Sequence, residues 1–178
     1  MNPSLATIGV VALLSACSMS PMMMNKVDNA ALPEAVRVPS GQTMRMFTTG
    51  VGEITYECRE KAAAAGQYEW AFVAPVAMLH TGDKKNVGKY YGGPTWEAAD
   101  GSKVTGKQLG MSPSAPGNIP MQLVKTDPAM GSGAMTGVTY IQRLNTKGGV
   151  APKAACDAAT KGKRQQVAYE ADYVFYGG

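Results

Sequence analysis

Histidine is almost missing from this chain: His80 is its single imidazole. Cysteine is scarce too, with Cys17, Cys58 and Cys156 and no Cys-x-x-Cys pair. A zinc site needs three or four convergent ligands, and the nitrogen and sulfur donors are not there. No Gly-x-Ser-x-Gly elbow occurs, so the common hydrolase nucleophile has no place. His80 follows the apolar run 76–79 and precedes Thr81-Gly82-Asp83, which places it at a strand end. The glycine-rich stretch 131–137 has the wrong spacing for a dinucleotide loop and no βαβ surroundings. It reads as a hairpin, and no cofactor or metal is expected. Charge of one sign is also lacking. The formal net charge is only +4, and the lysines and arginines are scattered. A nucleic-acid binder concentrates them in a stripe with interleaved aromatics, so no nucleic-acid partner is expected.

No apolar run is long enough to span a bilayer as a helix. Residues 4–14 are apolar and uncharged, but a span of ~30 Å needs about 20 residues. This run has the length of a signal-peptide apolar region. Leu14-Ser15-Ala16-Cys17 follows as a lipobox, an aliphatic and two small residues before a cysteine that takes lipid. Residues 1–16 are therefore expected to be a signal peptide and Cys17 the lipidated residue. Residues 17–30 are expected to tether the domain to a membrane through that anchor. Ser18, rather than Asp, follows the cysteine, which favours the outer membrane, facing the periplasm or the cell surface. Met19 and Met22-Met23-Met24 are a soft-ion set by residue type, but as part of a tether they need no ligand.

With Cys17 assigned to lipid, Cys58 and Cys156 remain. An even pair in an exported chain reads as a disulfide. Closing a loop of about a hundred residues is worth roughly 4–5 kcal/mol in the chain-entropy account.

The composition, 45% hydrophobic and 17% charged, is that of a folded domain. Its body alternates with period two. Ile54, Tyr56 and Cys58 face one way, with Glu53, Thr55, Glu57 and Arg59 opposite. Val167, Tyr169, Ala171, Tyr173 and Phe175 do the same against Glu170 and Asp172. That is the signature of half-buried strands. Further strands are predicted over 43–48, 68–73, 87–91, 103–109, 121–125 and 137–144. Short helices are predicted over 60–65 and 153–160. The fold expected is all-β, a single antiparallel β-sandwich or jelly-roll-like domain over 31–178.

Two features suggest a site. Tyr90-Tyr91-Gly92-Gly93-Pro94-Thr95-Trp96 sets aromatics beside a tight turn, either as a stacking platform or folded onto the core. Arg143 and Asn145 share a predicted strand face, and Arg143 is expected to pair with Asp172 across strands, or to form with it a polar ligand site. Asp83, Asp100, Asp127, Asp157 and Asp172 are carboxylates that acid–base chemistry would need in pairs.

Several blocks together resemble the domain of unknown function 3455 family, found in secreted bacterial and fungal proteins. They are Gly92-Gly93-Pro94-Thr95-Trp96, Ile119-Pro120, Gln142-Arg143-Leu144-Asn145-Thr146-Lys147-Gly148-Gly149 and Tyr169-Glu170-Ala171-Asp172-Tyr173-Val174-Phe175-Tyr176. The resemblance runs over roughly 32–176. A histidine common before the Gly-Pro-Thr-Trp block is Tyr90 or Tyr91 here, and a tryptophan common after Ile-Pro is Met121. The family implies no established activity. Together these features lead to the expectation of a cell-envelope lipoprotein with a non-enzymatic binding or structural role, its partner a glycan or an envelope protein. The alternatives are a carbohydrate-active enzyme with paired carboxylates and a subunit of an envelope protein assembly.

Overall fold

The structure is a computed structural model and describes residues 27–178. Cys17, the expected signal peptide and the methionine-rich part of the expected tether lie outside the described residues. Two short 3₁₀ turns, Asn29–Ala31 and Glu34–Val36, precede eight strands. These are β1 Thr43–Lys61, β2 Ala64–His80, β3 Asn86–Tyr91, β4 Thr95–Ala98, β5 Lys103–Ser112, β6 Met121–Thr126, β7 Tyr140–Gly148 and β8 Arg164–Gly177.

Each strand pairs antiparallel with its sequence neighbours, and β8 returns to pair with β1. The result is a closed up-and-down barrel, not the sandwich or jelly roll expected. Alternation marks one inward face per strand, and a sheet closed on itself needs that face as much as a sheet packed on another. What decides is the long-range β1–β8 ladder, from Thr43↔Gly177 to Glu57↔Arg164. It leaves no free first or last strand.

The interior is packed by the predicted inward faces. Ile54, Tyr56, Tyr169, Ala171, Tyr173 and Phe175 join Leu79, Tyr90, Trp96, Val104, Val124 and Ile141 in one core. Space for the rings comes from small residues opposite. A Cβ on Gly50 would stand 2.6 Å from the Tyr173 ring.

Several predicted elements change. Segments 43–48 and 51–59 are one long strand, β2 runs from Ala64 to include 76–79, and β4 was missed. The predicted helix over 60–65 is the tip of the β1–β2 hairpin, where Lys61 pairs with Ala64. The other, over 153–160, is coil and turn. There Asp157 accepts from the amides of Ala159 and Thr160 at 3.0 Å. Segment 131–137 is a run of turns rather than a hairpin. Asp100 holds it by accepting from Ala134 N–H at 2.7 Å, and Met135 is buried in the core.

The disulfide forms as expected: Cys58 on β1 is bonded to Cys156 in the β7–β8 connection. A second apolar cluster lies on the outside of the barrel. Residues 27–38 cross it as a strap, burying Val36 and Val38 against Leu123, Leu144, Val174 and Tyr176. Gln142, fully buried, ties the strap down. Its Nε2 donates to the Val36 carbonyl at 2.6 Å and to Asn29 Oδ1 at 3.0 Å, and its Oε1 accepts from the Tyr176 hydroxyl at 2.8 Å. Residues 27–30, placed in the tether by the sequence reading, thus carry contacts to the barrel.

Candidate functional site

β7 carries an irregularity that builds the site. Its pairing with β8 runs in step to Leu144↔Asp172 and resumes at Lys147↔Glu170. Between them Asn145 takes a left-handed backbone, φ 47°, a conformation asparagine tolerates better than most residues. A bulge of this kind re-aims the side chain it contains. Arg143 keeps the inward face, opposite Tyr173 and Gln122. Asn145 turns outward to Asp172.

The expected Arg143–Asp172 ion pair is therefore not formed. Arg143 donates through Nε and Nη2 to the Pro120 carbonyl, at 3.1 and 3.0 Å. Asp172, on the outer face of β8, accepts from Asn145 Nδ2 at 2.7 Å and from the Thr49 hydroxyl at 3.0 Å. The two donors leave some of the carboxylate lone pairs open. Beside them Lys147 pairs with Glu170 at 2.6 Å, which raises the lysine pKa.

Asp172 and Asn145 line a groove of about 360 Å³ with Leu144, Phe47, Val27, Asp28 and Leu32. The strap supplies its outer wall. Asp28 is fixed there because its carboxylate accepts from Ala30 N–H at 3.1 Å as a cap. Sequence reasoning missed Asp28, Leu32, Phe47 and Thr49. Asp28-Asn29 before Ala30-Ala31 is the one local signal, a capping pattern.

The aromatic block resolves toward the core. Tyr90 and Trp96 stack inside the barrel, ring centres 4.8 Å apart, and Trp96 is 1% exposed. They form no surface platform. Tyr91 is half-buried; its hydroxyl donates to Glu97 at 2.7 Å and Lys89 lies 5.5 Å over its ring. The Glu97 bond raises the Tyr91 pKa and lowers that of Glu97. Among the described residues, no group of three or more His, Cys, Asp or Glu side chains is placed to hold a metal ion.

The groove thus combines one carboxylate and one amide from facing strands, a second carboxylate from the strap, and an apolar floor. No curated protein and no solved structure matches the chain. The model of one family, described as protein of unknown function (DUF3455), matches residues 39–177. That match takes in all eight strands of the barrel, and the chain belongs to the DUF3455 family.

Proposed function

We propose that the protein is a lipid-anchored cell-envelope protein that binds a saccharide unit in the groove between the strap and β7–β8. The observation that carries this reading is the convergence of Asp172, Asn145 and Thr49 beside Phe47 and Leu144. A carboxylate with open lone pairs accepts from sugar hydroxyls, and the Asn145 carbonyl adds another acceptor. Phe47 and Leu144 offer an apolar surface to the C–H face of the ring. The groove volume falls in the range of roughly 300–1,000 Å³ typical of small-molecule sites. Anchoring rests on the lipobox at Cys17, and export on the Cys58–Cys156 pair.

The test is a glycan array probed with the full chain, followed by titration of the best hit. Asp172→Asn should weaken that hit at least tenfold while leaving the melting temperature nearly unchanged. An array without saturable binding rejects the saccharide reading. Palmitate incorporation that disappears in Cys17→Ser tests the anchor separately.

A second reading has one observation in its favour: Asp28 and Asp172 both line the groove. A glycosidase acts through two such carboxylates. Release of reducing sugar from the bound glycan, lost in Asp28→Asn, would convert the binding protein into an enzyme.

A further inference from the structure

The barrel interior is not uniform along its axis. Towards the end where β1 and β8 begin and finish the chain's ladder, the inward side chains are Leu79, Ala98, Val104, Val124, Ile141 and Phe175. Towards the other end the β1–β8 side stays apolar with Ile54 and Tyr169, while the β5–β6–β7 side turns polar. Gln108 faces Val124, and its Oε1 accepts from Gln122 Nε2 at 2.6 Å. Gln122 in turn stands opposite Arg143. On β1 Tyr56 is inward at this end, its ring edge-on to Phe72 at 6.2 Å and its hydroxyl donating to the Gly149 carbonyl at 2.7 Å.

This polar end is open on one side. β3 and β4 are short, so β2 meets β3 only from Val76 to His80, and β4 meets β5 only from Lys103 to Thr105. The wall between β2 and β5 is missing beyond them. Phe72 is 56% exposed at this gap, and Met111, inward opposite Gln122, is 50% exposed.

Arg143 sits at this end with its charge unanswered. Among the described residues it makes no ion pair. Its Nε/Nη2 edge is spent on the Pro120 carbonyl. The Nη1/Nη2 edge presents two parallel N–H groups and meets no acceptor among the described residues. Such an edge matches the two oxygens of a carboxylate, a pairing stronger than neutral hydrogen bonds. The charge reaches into the barrel, where it pulls down the pKa values of Tyr56, Tyr90, Tyr169 and Tyr173 against the larger upward effect of their burial. In the adjoining aromatic layer the Trp96 Nε1–H is buried without an acceptor. An unsatisfied buried donor of that kind is rare and unfavourable.

We propose that the open end of the barrel is a binding site for a small organic carboxylate, held by the free edge of Arg143, with Gln108 and Gln122 beside it and Phe72 and Met111 at the rim. Barrel mouths are common places for such sites. One guanidinium with two parallel donors suits a single planar carboxylate. This site is separate from the saccharide groove, which lies outside the barrel under the strap.

The test titrates the full chain with acetate, succinate, benzoate and glucuronate, each beside its primary amide. Tryptophan fluorescence is the readout, since Trp70 lies on the inward face of the β1–β2 hairpin opposite Cys58. At least one carboxylate should saturate, with its amide binding at least tenfold more weakly. Arg143→Gln should abolish the response, whereas Arg143→Lys should keep the acid-over-amide preference at a several-fold lower affinity. Asp172→Asn should bind the carboxylate as the parent does, which separates this site from the groove. If Arg143→Gln fails to fold, the comparison of acids with amides on the parent and on Arg143→Lys decides. No saturating carboxylate, equal binding of amides, or full binding by a folded Arg143→Gln overturns the proposal.

Discussion

Asn145 reaches Asp172 at 2.7 Å because its own backbone leaves the strand conformation. In a regular strand Asn145 would follow Arg143 into the barrel. The left-handed turn at φ 47° takes it out, and the Leu144↔Asp172 register slips to Lys147↔Glu170 around it. The groove polar pair is thus a product of one backbone conformation.

Asn145→Val should therefore destabilise the barrel by about 1–2 kcal/mol, because a β-branched side chain is strained in the left-handed region. Asn145→Gly keeps the backbone and removes only the amide, so its stability should stay within about 0.5 kcal/mol of the parent. Urea midpoints compare the three proteins. A valine variant as stable as the parent would mean that the bulge relaxes without cost.

Gln142 is the place to detach the strap. In Gln142→Leu the Val36 carbonyl and the Tyr176 hydroxyl lose their buried partner. A buried polar group left without a partner costs about 1–3 kcal/mol. The loss should total about 2–3 kcal/mol and concentrate in the strap. Limited proteolysis should cut within residues 27–38 earlier than in the parent, while the barrel strands keep their hydrogen-exchange protection. Uniform loss of protection would show that strap and barrel unfold as one unit.

The strands and the disulfide were legible because each is written locally or by elimination. Ile54-Tyr56-Cys58 and Tyr169-Ala171-Tyr173-Phe175 announce their buried face by alternation alone, and Cys58 had one remaining partner. Barrel closure was not legible, since it depends on β1 meeting β8 across more than a hundred residues. The Arg143–Asp172 pair failed for two physical reasons. Arg143 stands opposite Tyr173 and points inward, while Asp172 points outward beside Leu144. The bulge then separated Asn145 from Arg143, and no residue pattern marks it except an asparagine. The strap was invisible because residues 27–38 have no periodicity and are ordered by Gln142, a hundred residues away.

The Cys58–Cys156 bond closes a separation of 98 residues and ties the long β1–β2 hairpin to the β7–β8 connection. Replacing both cysteines with serine should lower stability by up to about 4–5 kcal/mol. Cys58 is fully buried but Cys156 is half-buried, so dithiothreitol should reach the bond from the Cys156 side. Under reductant the melting temperature of the parent should fall towards that of the double variant, which itself should not respond. Two thiols open to alkylation without reductant would remove the bond from the protein in solution.

Alkaline pH should unfold the barrel from its tyrosines. Burial raises the pKa values of Tyr56, Tyr90, Tyr169, Tyr173 and Tyr176 above the ordinary 10.0. A phenol whose folded pKa is raised keeps its proton in the native state after the unfolded chain has begun to lose it. Its contribution to stability is therefore complete below about pH 10 and declines as pH rises above that value. Absorbance at 295 nm should show these phenols silent near pH 10 in the native protein and titrating together with the loss of circular dichroism. Arg143 works against burial on four of the five, all except Tyr176. In Arg143→Gln any native phenolate signal from those four should move to higher pH, and in Arg143→Lys it should stay near the parent. If all the tyrosines ionise near pH 10 while the dichroism is unchanged, the phenols are not in the packed interior and the barrel core described above is wrong.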